Sequence, residues 1–147
     1  MKILSANFLN NQKIPSKYTC DSLNINPELK FSDIQENAKS LVLIMDDPDA
    51  PMGIFVHWVI FNIDPKISSI SQNSSPIGAI QGKNSSSSNK YVGPCPPSGT
   101  HRYFFKLYAL DKLLVLSSDS DKNAVEKAMK GHILGKADLI GLYDRSF

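Results

Sequence analysis

Apolar residues along this chain recur mainly at a period of two, the spacing of strands that bury one face. Residues 41–46, Leu-Val-Leu-Ile-Met-Asp, instead make a short apolar run that ends on an acid, suited to a strand covered on both sides. Over 54–62 the alternation places Phe55, His57, Val59 and Phe61 on one face, and Val56, Trp58, Ile60 and Asn62 on the other. From His101 to Leu110 the same rule groups His101, Tyr103, Phe105 and Leu107, with Arg102, Phe104, Lys106, Tyr108 and Leu110 opposite. Both histidines therefore sit at or near strand ends with aromatic residues on their own side. The helical signal is confined to one stretch. Cap-forming Ser and Asp residues near Ser118–Ser120 precede Val125, Ala128, Met129 and Ile133, an amphipathic spacing weakened by Gly131. Beyond Gly135, residues 137–143 read as a last short strand.

Between the second and third of these strands lies a segment from Ile67 to Lys90, dominated by Ser and Asn with Ser85-Ser-Ser-Ser88 near its centre. Such a stretch buries little apolar surface, so it reads as a weakly ordered surface loop, too short and well bounded to divide two domains. No internal repeat is visible. The pattern predicts a mainly β fold over residues 1–147 as one domain, and a chain of 147 residues can bury roughly 68–70% of its unfolded surface.

Composition narrows the function classes. A net charge of +2 without a basic run argues against nucleic acid. The first ten residues carry one positive charge and no apolar stretch of signal-peptide length. Nothing approaches the roughly 20 apolar residues that cross a bilayer, so no membrane span is expected. The two cysteines, Cys20 and Cys95, make a weak disulfide case without an export signal, and read as reduced thiols of a cytoplasmic protein.

The candidate chemistry lies in two turn-rich segments. Asp46-Asp-Pro-Asp-Ala-Pro51 precedes His57, and Gly93-Pro-Cys-Pro-Pro97 precedes His101-Arg-Tyr103. Prolines fix φ, so side chains beside them project in set directions. One imidazole nitrogen of His57 or His101 can donate to Asp47, leaving the other for a ligand. A carboxylate favours the imidazolium while burial opposes it. Together these groups suggest a small polar pocket for an anion. Taken singly, each has a plainer reading: Asp47 and Asp49 as turn residues, the histidines as half-buried members of an aromatic layer, Tyr103 and Phe105 as core, Cys95 as a small hydrophobe. A hydrolase with Cys95 or Ser98 as nucleophile, His101 or His57 as base and Asp47 as orienter is the alternative. Against it, no Gly-x-Ser-x-Gly elbow is present, and the flanking prolines remove oxyanion donors. No ligand spacing for a metal is found.

Taken in order, the motifs Ile14-Pro15, Tyr18-Thr-Cys-Asp21, Asn26-Pro27, Asp46–Pro51, His57-Trp58 through Asn62, Gly93–Pro97, His101–Tyr103, Tyr108-Ala-Leu-Asp111 and Leu139-Ile-Gly-Leu-Tyr143 resemble the phosphatidylethanolamine-binding protein family, also called Raf kinase inhibitor-like proteins, in its short bacterial branch. The resemblance implies an antiparallel Greek-key β-sandwich with one or two short helices. It implies a pocket of Asp47, His57, His101 and Tyr103, with backbone from Gly93 to Cys95, that takes phosphate, acetate or a phospholipid head group. It further implies no catalysis and no cofactor, a possible role in tuning a kinase or protease, and possible pairing as a homodimer. Because residues 94, 96 and 97 are prolines, Cys95 is the one amide donor between Gly93 and Ser98. The chain departs from the family at Asn84–Lys90, where Asn-Asp and glycines are usual, and at Val92, where glycine is common.

Overall fold

The computed structural model describes residues 1–145. Its strands are β1 (Lys2–Leu4), β2 (Gln12–Lys13), β3 (Leu29–Ser32), β4 (Ser40–Asp47), β5 (Phe55–Ile63), β6 (Ser69–Ile70), β7 (Ile80–Gln81), β8 (His101–Leu110) and β9 (Ile133–Tyr143), with one helix, α1 (Lys122–Met129), between the last two. They form a three-stranded sheet, β1-β3-β6, and a six-stranded sheet, β2-β9-β8-β4-β5-β7. Pairing is antiparallel throughout except for β2, which runs parallel to β9. The class is thus mainly β, as the pattern predicts, with a mixed rather than purely antiparallel large sheet.

β4 is the central strand, and its apolar run has a direct cause. Leu41, Leu43 and Met45 enter a core shared with Ile3, Leu29, Phe31 and Ile70 of the small sheet. Val42 and Ile44 enter a second core with Val125 and Met129 of α1. Every residue of the strand is buried. β8 keeps the predicted alternation: Tyr103, Phe105 and Leu107 face the inter-sheet core, while Tyr108 and Leu110 face the helix.

β5 does not keep it. In the ladder with β4, Met45 pairs with Trp58 and Asp46 with Val56, so His57 is the extra residue of a bulge. A second irregularity falls at Asn62, whose φ of 55° is left-handed. The face predicted for His57 together with Val59 and Phe61 is therefore wrong. Val59 and Phe61 join the helix-side core, whereas Trp58 and Ile60 join the inter-sheet core. Phe55 does stay beside His57, their ring centroids 4.8 Å apart.

Three further expectations are corrected. The helix starts at Lys122, because the Asp121 side chain caps the Ala124 N–H at 2.9 Å. It stops before Gly131, whose φ of +82° no helix can hold, so Ile133 opens β9 instead of extending the helical stripe. The last strand is accordingly 11 residues long, not a short one from 137. Finally, the Ser- and Asn-rich segment is ordered. It contains β6 and β7, and the buried Asn84 accepts from the amides of Ser86 and Ser88 while donating to the Lys90 carbonyl. An asparagine used this way replaces strand-like backbone pairing, which composition does not reveal.

Candidate functional site

The bulge in β5, the start of β8, the turn after β4 and the Pro-rich segment before β8 enclose a cleft of about 340 Å³. Every residue assigned to the anion pocket from the sequence lines it: Asp47, His57, Gly93, Cys95, His101 and Tyr103. Phe55, Pro51, Pro96 and Pro97 add apolar wall. The prolines belong to the two turn-rich segments, and Phe55 carried its two-residue spacing from His57.

The aspartate–histidine contact goes to one of the two imidazoles left open. His101 Nδ1 lies 2.7 Å from Asp47 Oδ2, and both side chains are buried. The other carboxylate oxygen, Oδ1, accepts the Asp49 N–H at 2.7 Å. Asp47 is thus held at both ends, by its own turn and by the first residue of β8. His57 takes a different partner: its Nδ1 lies 2.6 Å from the Val92 carbonyl oxygen. Each Nδ1–H is therefore a donor to the protein, and the Gly93 backbone is a further, weaker hydrogen-bond partner of His57.

Burial pushes the His57 imidazole below the usual histidine range, opposed by the Val92 carbonyl and then by the charges of Asp47 and Asp46. The ring is consequently neutral at pH 7, with Nε2 carrying a lone pair. Between the two imidazoles lies the Tyr103 ring, with centroids 5.2 Å from His57 and 6.4 Å from His101. Tyr103 is fully buried and its hydroxyl has no hydrogen-bond partner. Desolvation, with Asp47 and Asp49 behind it, drives this phenol's pKa up, so the proton stays on oxygen. An orphaned buried hydroxyl costs about 1–3 kcal/mol, a penalty that a ligand acceptor would relieve.

Outside this inner group, Asp49 accepts three hydrogen bonds from Arg102: one from its amide and two from its guanidinium. The guanidinium holds the Asp49 carboxyl down at about 2. The pair ties the Pro-containing turn to β8 at the mouth of the cleft, and its exposure limits its contribution to under about 1 kcal/mol.

Two sequence expectations fail here. The Gly93 amide is not a donor to the cleft, because it donates to Asn24 Oδ1 at 2.8 Å. Glycine is needed for that approach: a Cβ at 93 would collide with the Tyr18 carbonyl oxygen and with Asn24. Asn24, missed in the sequence, is thus an anchor of the wall. Cys20 and Cys95 are not reduced thiols but a disulfide, with Cα atoms 5.5 Å apart across 75 residues of sequence. Pairing over that separation depends on the turn at 16–18 meeting the Pro-rich segment, which no local pattern encodes. The bridge removes Cys95 as a free nucleophile. Ser98 lies on the exposed turn beyond Pro97 and does not line the cleft. Neither nucleophile of the hydrolase alternative is therefore in position.

Among the described residues no group of three or more His, Cys, Asp or Glu is placed to hold a metal, and no helix is long and apolar enough to cross a membrane.

Comparison with known proteins follows the same line. A family model described as phosphatidylethanolamine-binding protein matches residues 4–144. A UPF0098 protein of Methanothermobacter thermautotrophicus is 50% identical, over 99% of both chains. A UPF0098 protein of Chlamydia trachomatis is 40% identical, again over 99% of both. Among solved structures, a phosphatidylethanolamine-binding protein homolog from Chlamydia trachomatis superposes with a TM-score of 0.95 at 39% identity, covering 99% of this chain and 97% of its own. YbcL of Escherichia coli, described as a new member of the mammalian family, gives 0.92 at 25% identity, covering 99% and 98%.

Proposed function

The chain belongs to the phosphatidylethanolamine-binding protein family, and from that premise we propose that it is a non-enzymatic binding protein whose cleft takes a small phosphate-bearing anion. One observation carries the reading. Both imidazoles spend Nδ1 on the protein, and the two remaining Nε2 atoms and the unpartnered Tyr103 hydroxyl belong to residues lining one cleft. Tyr103 lines the cleft, and its buried, unpartnered hydroxyl becomes a donor to the anion on a shift of the wall that exposes it. The Cys95 amide, which among the described residues takes part in none of the wall's internal hydrogen bonds, is a further donor. Asp47 serves as orienter, since both its oxygens are engaged and it offers the anion no donor. Phe55 and the prolines accommodate carbon attached to the phosphate, as a head group has. Each charge-assisted bond contributes about 1.5–3 kcal/mol, so two or three give weak to moderate affinity. Modulation of a kinase or protease, and pairing as a homodimer, are partner readings that follow from the family rather than from this geometry.

The sign of the pH dependence follows from His57. Free protein holds it neutral at pH 7, and an anion favours the imidazolium, so binding takes up a proton and tightens as pH falls. Affinity is expected to be greater at pH 5.5 than at pH 8. Phosphate changes its own charge in this interval, so sulfate serves as the fixed-charge control. The test is an NMR titration of both imidazoles with each anion, and histidine pKa values unmoved at saturation would reject the reading.

The same depressed pKa has a stability consequence. The unfolded chain binds this proton near pH 6.5, the folded one only at lower pH. His57 therefore supports the fold above pH 6.5, and that contribution is lost as pH falls through 6.5 toward the folded value. Thermal melts should show Tm declining over that interval, less steeply in His57→Gln.

A further inference from the structure

We propose that the Cys20–Cys95 bridge is a thiol–disulfide exchange site in the wall of the cleft, and that its opening by a dithiol reductant weakens anion binding there. The proposal rests on the anion reading of the same cleft. Cys95 is exposed and lines the cleft, whereas Cys20 is only partly exposed on the turn behind it. On that difference between the two residues, attack is assigned to Cys95 Sγ, from the side of the cleft mouth. Attack there forms a mixed disulfide on Cys95, breaks the Sγ–Sγ bond, and releases Cys20 as a thiolate that takes a proton from water. The reductant's second thiol then displaces Cys95. In sum the protein gains two electrons and two protons, and the dithiol becomes a disulfide.

What this does to the wall follows from its other fastenings. The Gly93 amide is held by Asn24, the Pro94 carbonyl accepts from the Cys20 amide at 3.1 Å, and the Tyr91 hydroxyl donates to the Tyr18 carbonyl at 2.7 Å. Residues 91–94 therefore stay in place on reduction, and release begins at Cys95. That half of the wall carries the Cys95 amide and the apolar Pro96 and Pro97. Loosening it makes the anion order the segment on binding, an entropic cost that the bridge otherwise removes. By reciprocity, bound anion resists reduction by the same factor.

The experiment compares the intact chain, oxidised and then reduced with dithiothreitol, by thiol alkylation mass, circular dichroism and phosphate titration followed at both imidazoles. The expected result is two alkylated thiols at unchanged fold, and a phosphate Kd raised about fivefold. The variant Cys20→Ser/Cys95→Ser should reproduce the reduced state without reductant. Resistance to reduction under native conditions, unfolding on reduction in both forms of the test, or equal Kd in both redox states overturns the proposal. Equal Kd leaves the anion reading standing. Failure of phosphate to bind the oxidised protein overturns that reading first, and this proposal with it.

Discussion

Cys20→Ser/Cys95→Ser is expected to lower the unfolding free energy by about 2–4 kcal/mol. The bridge spans 75 residues, about half the chain. Closing a loop of that length removes roughly 4.5 kcal/mol of unfolded-state entropy in the chain-entropy treatment, and measured values usually fall below it. The bridge fastens the turn before β3 to the segment before β8, so it joins parts of the fold that share few other covalent constraints. A domain of this size has about 5–15 kcal/mol in hand, so the variant should still fold at 25 °C. Urea denaturation at fixed pH measures the difference, and a midpoint indistinguishable from the oxidised parent would show the bridge to be energetically idle.

The second large effect separates two neighbouring aspartates. Asp46 and Asp47 are adjacent on β4 and both buried, yet they serve opposite sides of the sheet. Asp46 Oδ2 lies 2.9 Å from Lys106 Nζ and 3.2 Å from Lys122 Nζ, linking β8 and α1 on the helix side. Asp46→Ala leaves two largely buried ammonium groups without their counter-charge, which should cost about 3 kcal/mol. Phosphate affinity should stay within about threefold of the parent. Asp47→Asn should do the reverse: it removes the charge orienting His101 and lowers phosphate affinity by about tenfold, with a loss of stability near 1 kcal/mol. Denaturation midpoints and phosphate titrations on the two variants settle the assignment. Should Asp46→Ala behave as an innocuous surface change, or abolish binding in a stable protein, the division of labour fails.

That division shows where reading by residue pattern reaches its limit. Period-two alternation locates β8 to the residue and places Tyr103, Phe105 and Leu107 correctly, because a regular strand converts sequence parity directly into sides of a sheet. The same rule fails on β5. A bulge spends one residue without advancing the ladder, so parity reverses after His57. The bulge also sits at the cleft, so the irregularity that defeats the pattern is part of the candidate site. Helix and loop follow the same logic: Val125 and Met129 were legible from spacing, while the stop at Gly131 and the ordering of the loop by Asn84 depend on single backbone and side-chain bonds.

By itself the sequence determined the strand-rich class, the doubly buried central strand, the family resemblance and six of the residues that line the cleft, since these rest on local periodicity and on motif order. Only the tertiary structure decided which histidine meets Asp47, that the Gly93 amide is already engaged by Asn24, and that Cys20 finds Cys95. Each of those is a contact between segments tens of residues apart, and its partner is chosen by packing and distance after the chain has closed on itself. Residue order limits the candidates for such contacts without selecting among them.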